Sequence, residues 1–431
     1  MKNHSKNLKT LKIQSESHSQ SSARNKYSLI ISIFFASIAG YSYFAFLPYF
    51  LRSEGYSDGE VIFMMTFMGI GMALFSWFFG KISDRTGHRR LFFILGLFFQ
   101  AILISFFYFY TNIIYYCILN FFRGFLLGMR MPAASALFAE IVEKKNLKME
   151  TKVINGAPEV SGTQLSLLST TKSTGWTVGV LFSSSIISVF GVDALIPFLV
   201  IITTISLICA LPIKDVKKEE NVNNEFVIED IVGKGLLDDK TKKANSLIKK
   251  RAKIKSLLFI SVFFRQFGLI AILQILTLLL TDAGLPIALA GVIIALNPLF
   301  QVVAMIVNGR FIDNPRISER LMLGIGFILS TITLFLYTGG SATGSIALFV
   351  LGQVCLGFSW GCVYTGALKY IVNRAPQDRA FYMGIWITNL QVAKISSYIV
   401  FGSLWFIFTP VMVLPFAAFI PLVGLVIVFW L

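Results

Sequence analysis

Charge is scarce in this chain: 14% of its 431 residues are Asp, Glu, Lys or Arg, against about 25% in an ordinary soluble domain. A soluble globular protein is thereby excluded. Histidine is scarcer still, with three in all; His4 and His18 stand near the N-terminus and His88 in a polar loop. No Ser-His-Asp or histidine-metal arrangement can be assembled within the apolar runs, and the chain is not expected to be an enzyme. The four cysteines, Cys117, Cys209, Cys355 and Cys362, fall inside apolar runs without disulfide or metal spacing. They read as small packing residues, and neither a metal nor another cofactor is expected. There is no Gly-x4-Gly-Lys-[Ser/Thr] run, so direct drive by ATP is not expected. A mean hydropathy of +0.73 excludes a disordered chain.

What is present is long uncharged sequence. Residues 27–51, 61–80, 91–122, 173–192, 194–213, 283–309, 321–368 and 395–431 hold no charge, and a helix crosses a bilayer in about 20 residues. With two spans around Gly339 and Gly340, the count is twelve, beginning near Tyr27, Asp58, Leu91, Ile113, Gly162, Asp193, Ser256, Leu285, Arg320, Gly344, Ala380 and Phe406. The expected fold is an all-α membrane protein of twelve transmembrane helices. Residues 27–213 and 256–431 would form two six-helix bundles, joined by a polar linker, residues 214–255. Residues 1–26 are rich in Lys, Ser and Asn without the apolar core of a signal peptide, and read as a disordered tail.

The net charge is +16, which on a soluble chain would point to nucleic acid. Sorted by the sides that the spans alternate between, 32 of the 38 basic residues fall on one side and only Arg52 on the other. The positive-inside rule then puts the N-terminus, the linker and the C-terminus in the cytoplasm of a cell membrane. Most of the excess is therefore an orientation signal. The lipid bilayer is the expected partner, nucleic acid is not, and a monomer is expected. The linker ends in a basic run from Lys249 to Lys255 that reads as an anchor for the next span.

The two halves repeat. Gly80 and Asp84 in Gly-Lys-Ile-Ser-Asp return as Gly309 and Asp313 in Gly-Arg-Phe-Ile-Asp, an offset of 229 that also relates Leu51 to Leu280, Gly55 to Gly284, and Leu127-Gly128 to Leu356-Gly357. Six spans separate the copies, so both have one orientation, as in a parallel repeat about an axis along the membrane normal. In the loop itself, Gly80 is small enough for close helix approach, Gly87 permits a tight turn, and Asp84 is suited to accept from a helix N-terminus. Arg85 or Arg89 can pair with an acid at the inner end of span 4, where Glu140 and Glu143 lie.

The segment from Gly80 to Arg90, with Asp84, Arg85, Gly87 and Arg89 in place, closely resembles the signature loop of the major facilitator superfamily. The resemblance extends from Tyr27 to Leu431. His88 stands where the family has a basic residue, and Asn314-Pro315 interrupts the second copy. The resemblance implies a carrier working by alternating access, with spans 1, 4, 7 and 10 lining a central cleft. It also implies that Asp84 faces the start of span 11 and latches the halves on the inner side, with the second copy, Gly309 and Asp313, gating less strongly.

Five charges lie deep in spans, Arg123, Arg130, Lys172, Arg265 and Lys394, and all are positive; no acid lies in the middle of a span. Charge within a span is costly and marks function. A bound anion is the simplest group to balance these five. Arg123 and Arg130 are two turns apart on one face. Lys172 and Lys394 each lie ten residues beyond a glycine, Gly162 and Gly384, about 15 Å along the helix and near mid-membrane. Arg265 is followed by Gln266. Tyr41, Tyr43, Asn297, Gln301, Trp360, Tyr364 and Asn389 would complete a polar and aromatic cleft.

The expected function is secondary active or facilitative transport of a small solute, an organic or phosphate-bearing anion. A multidrug carrier would need an apolar cleft and would bring cationic drugs against five positive charges; a sugar carrier would use the Asn and Gln set. A non-transporting receptor or scaffold of the same fold would show no solute flux.

Overall fold

The structure, a computed structural model, describes the backbone of residues 2–149, 162–215, 255–311, 318–374 and 379–431. Among them the helices are α1 (Lys2–Ser53), α2 (Asp58–Thr86), α3 (Arg89–Ser105), α4 (Ile113–Met149), α5 (Gly162–Phe190), α6 (Leu195–Ala210), α7a (Leu257–Gln274), α7b (Leu276–Asp282), α8 (Ile287–Phe311), α9 (Glu319–Thr343), α10 (Ile346–Arg374), α11 (Arg379–Trp405) and α12 (Pro410–Phe429). Eleven contain a segment long and apolar enough to cross a membrane. The helix α11 has 27 residues, but Asn389, Gln391, Lys394, Ser396 and Ser397 make it more polar than its neighbours. The sequence numbering of twelve spans is kept by treating α7a and α7b as one span interrupted at Ile275.

The helix ends follow from local chemistry. Ser57 caps α2 in a reciprocal box with Glu60, and Asp58 and Glu60 place negative charge in its first turn. The same helix stops at Gly87, whose φ of 68° and N–H bond to the Ser83 carbonyl make the tight turn expected of it. Ser318 accepts from Leu321 N–H to start α9, and Pro410 opens α12. α1 is continuous from Lys2 to Ser53.

Packing repeats the sequence duplication. In the first half α2 lies on α4, α4 on α3, α3 on α6, and α1 on both α5 and α6; in the second half α8 lies on α10, α10 on α9, α9 on α12, and α7a on both α11 and α12. The halves meet along two seams that are themselves equivalent, α2 against α11 and α5 against α8. Even the turns agree. Gly55 has φ 94° and Gly284 φ 85°, conformations that suit glycine alone. The bonds Glu54 N–H to Phe50, Gly55 N–H to Arg52 and Tyr56 N–H to Leu51 recur 229 residues later as Ala283 to Leu279, Gly284 to Thr281 and Leu285 to Leu280.

The closest approach of α2 and α4 is not at Gly80, whose absent side chain would meet Pro132 Cβ at an ordinary 3.8 Å. It is at Gly71 and Gly124, where a methyl group would run into the backbone carbonyls of Phe121 and Met68. Pro132 and Pro298 lie within α4 and α8, as membrane helices tolerate when neighbours satisfy the freed carbonyls.

Candidate functional site

Arg123 lies in the first third of α4, with 1% of its surface exposed. Its guanidinium carbon is 3.3 Å from the centroid of the Tyr43 ring, and the Tyr43 hydroxyl donates to Asn120 Oδ1 at 2.7 Å. That cation-π contact is attractive, but the hydrogen-bond partner of Nη1 is only the thioether of Met68 at 3.1 Å, a weak acceptor. Its Nε and Nη2 have no partner. Two turns on, Arg130 is 6% exposed and its Nη1 is also buried without a partner. Such donors ordinarily find an acceptor in a folded protein.

Lys172 of α5 and Lys394 of α11 are only half-buried. Lys394 Nζ lies 5.3 Å from the centroid of Phe44 and 5.2 Å from that of Tyr398. Arg123 is within electrostatic reach of Arg130 and Lys394, and Arg130 of Lys172. Four cations from three helices therefore form one positive region spanning both bundles. Among the described residues the ion pairs are Arg52 with Asp58 and Asp282, and Arg374 with Glu319; none involves these four.

Arg265 stands apart. It is fully buried on α7a, where Nε donates to Ser330 Oγ at 2.7 Å, Nη2 to Ser359 Oγ at 2.8 Å, and its guanidinium lies 4.3 Å over Trp360. It is thus held inside its own bundle by α9 and α10, with only Nη1 unpartnered. The neighbouring Gln266 is buried with Oε1 unpartnered. Asn389 is committed to the Phe259 carbonyl at 2.9 Å, again within the second bundle.

Further contacts join the two bundles. Tyr41 of α1 lies beside Asn297 of α8, Ser173 donates to Gln301 at 3.1 Å, and Tyr364 lies beside Ser169. On α5, residues 169, 172, 173 and 176 share one helical face. Trp176 belongs to this face and was not singled out in the sequence; its position one turn from Lys172 was the available signal. Its ring stacks on Tyr41 at 4.9 Å, and Tyr41 stacks on Phe44 at 5.6 Å.

On the side expected to be outer, the bundles are tied together. Arg52 at the end of α1 bonds Asp282 at the end of α7b at 2.7 Å. Deeper in, Gln274 donates to the Phe44 carbonyl at 2.7 Å and Thr277 to that of Ala45, while Tyr398 donates to Gln274 Oε1. On the opposite side, the gating residues fall partly outside the description. Asp313 and the side chains of Asp84 and Glu140 lie outside the described residues, and Gly309 is described only as part of α8. Arg85 is exposed and Arg89 half-buried. In the same loop, Arg90 accounts for an interaction the sequence did not reveal: its backbone N–H donates to Asp215 at 2.8 Å and its Nη2 to the Leu211 carbonyl at 3.0 Å.

The sequence profile of the Major Facilitator Superfamily matches residues 29–396 and again residues 258–431. Curated protein sequences give no significant match. Solved structures do. A point mutant of the nucleoside transporter NupG aligns with a TM-score of 0.69 at 13% identity, covering 94% of this chain and 99% of that one. NupG without that change aligns at 0.67 and 13%, over 94% and 98%. A POT family transporter in complex with a thioalcohol-conjugated peptide aligns at 0.63 and 15%, over 94% and 95%. At these identities the likeness is one of fold.

Proposed function

Because the chain belongs to the Major Facilitator Superfamily and is a multi-pass membrane transporter of a small solute, we propose that its solute is an organic or phosphate-bearing anion. The carrying observation is the set of buried, unpartnered donors on Arg123 and Arg130 beside Lys172 and Lys394. An unpartnered buried donor costs about 1–3 kcal/mol, more when charged, and an anionic group seated among these four relieves that cost. Arg265, held by two serines, is a structural member of the second bundle that reaches the solute only through Trp360. Tyr41, Asn297, Gln266 and Tyr364 orient the solute's remaining polar groups.

Transport is alternating access: the solute enters from one side while the other is closed, and the bundles rock about the α2–α11 and α5–α8 seams. The bonds from Arg52 and Gln274 across the outer side support closure there in this conformation. On the inner side Asp84, Arg85, Gly87, Arg89 and Glu140, with Gly309 and Asp313 in the second copy, form the opposing gate. The charge asymmetry supports a cell membrane location with cytoplasmic termini, and the protein acts as a monomer. With no acid in the middle of any span, a carboxylate proton carrier is missing, which favours exchange or facilitated diffusion.

Flux in proteoliposomes tests this reading. Uptake of a labelled solute should be inhibited by anionic competitors and fall at least tenfold in Lys394→Ala. Uptake indifferent to anions and intact in that variant would refute the anionic solute; absence of flux for every solute class would favour a receptor.

A further inference from the structure

The stack Phe44–Tyr41–Trp176 is not explained by helix packing. The α1–α5 crossing is already set by Gly175 and Gly179, where added methyl groups would come within 2.7 Å of the Phe34 carbonyl and 2.6 Å of that of Ile38. Tyr41 and Phe44 pack against the edge of the core, yet the stack is not fully buried in it. Rings that serve the core nearby, Tyr43, Tyr116 and Tyr398, are at most 1% exposed, whereas all three stacked rings remain half-buried. They do not open to lipid alone, since Tyr41 lies beside Asn297 of the other bundle.

The three rings are nearly parallel, with interplanar angles of 12° and 14°. A lysine stands near either end: Lys394 Nζ 5.3 Å from the Phe44 centroid, and Lys172 one turn from Trp176 on the same face of α5. A small inorganic oxyanion uses the lysines and gains nothing from the rings, because its charge is spread over its whole surface and stays hydrated. A flexible aliphatic anion gains only area. A flat conjugated body gains area and offset stacking together, while its charged group reaches a lysine.

Resting on the anionic reading above, we propose that the transported anion carries a planar unsaturated ring system. The ring lies against the Phe44–Tyr41–Trp176 stack, and its anionic group is held by the lysine at one end of it, Lys394 beside Phe44 or Lys172 on the Trp176 face of α5. The chemical class is an aromatic or heteroaromatic carboxylate or phosphate.

The test is equilibrium dialysis on the full-length purified protein with labelled benzoate and 2-naphthoate, each against its ring-hydrogenated counterpart of equal charge, and against the neutral amide benzamide. The flat anions should bind about tenfold more tightly than the saturated ones, the scale set by one or two aromatic contacts. Trp176→Leu should remove that preference and Trp176→Phe keep most of it; Phe44→Leu supplies the same test from α1 if Trp176→Leu does not fold. Equal affinity for flat and saturated anions, or a preference that survives both leucine variants, overturns the ring and leaves the anionic reading standing. Benzamide bound as well as benzoate does the reverse. Binding of none of the five probes overturns both.

Discussion

Arg52 donates to Asp282 across 2.7 Å, joining the last turn of α1 to the last turn of α7b, the two helices that the duplication makes equivalent. The pair is exposed, at 38% and 47% of the side-chain surface, so its contribution is about 0.2–1 kcal/mol. Even this shifts an equilibrium between closed and open forms by roughly 1.5- to 5-fold. Arg52→Glu should raise labelling of a cysteine placed below the outer face, and the charge swap Arg52→Glu with Asp282→Arg should restore the low rate. High salt should mimic the single variant.

Arg123→Met should stabilise the protein in the absence of solute and abolish transport. The substitution removes a buried charge with two unpartnered nitrogens and leaves an unbranched apolar side chain in its place. A gain of about 1–3 kcal/mol is expected, read as a higher midpoint of thermal unfolding in detergent. The further rise that solute gives to the native protein should be absent.

Arg265 should behave oppositely. Ser330→Ala with Ser359→Ala strips both acceptors from its guanidinium, and hydrogen bonds to a charged group contribute about 1.5–3 kcal/mol each. The double variant should unfold at a lower temperature, while affinity for the solute changes less than threefold. A large loss of affinity with unchanged stability would return Arg265 to the solute.

Gly71→Ala and Gly124→Ala should each disrupt the first bundle, because the methyl group meets backbone carbonyls of the facing helix that cannot move aside. Overpacking of this kind costs about 1–3 kcal/mol or more, visible as loss of monodisperse protein. Gly80→Ala should be tolerated structurally, since its neighbour is an ordinary van der Waals contact; loss of transport with intact folding would then assign Gly80 to movement.

The architecture was largely legible in the sequence because a bilayer demands uncharged runs of a fixed length and sorts basic residues by side. The offset of 229 carried further, down to the matching bonds at Gly55 and Gly284. The site was only partly legible. Arg265 and Lys394 are both lone cations within membrane-spanning helices, yet one is bound by serines 65 and 94 residues away and the other faces aromatic rings. Which side of a helix turns inward depends on partners distant in sequence, and no local pattern encodes it. Trp176 was hidden for a related reason: in a chain with 14% aromatics, a single ring near a lysine is unremarkable until its stack is seen.

The two seams between the bundles have a mechanical character. Gly69 faces Ile395, Gly59 faces the Phe406 ring, Gly402 faces Ile62, and Gly291 faces Ser184. At each of these points a bare backbone on one helix meets a side chain on the other, without a charged pair to unclasp. In the alternating-access reading proposed above, such surfaces act as a bearing on which one half rolls over the other, and the work of each stroke falls at the helix ends, where Arg52 and Asp282 pair.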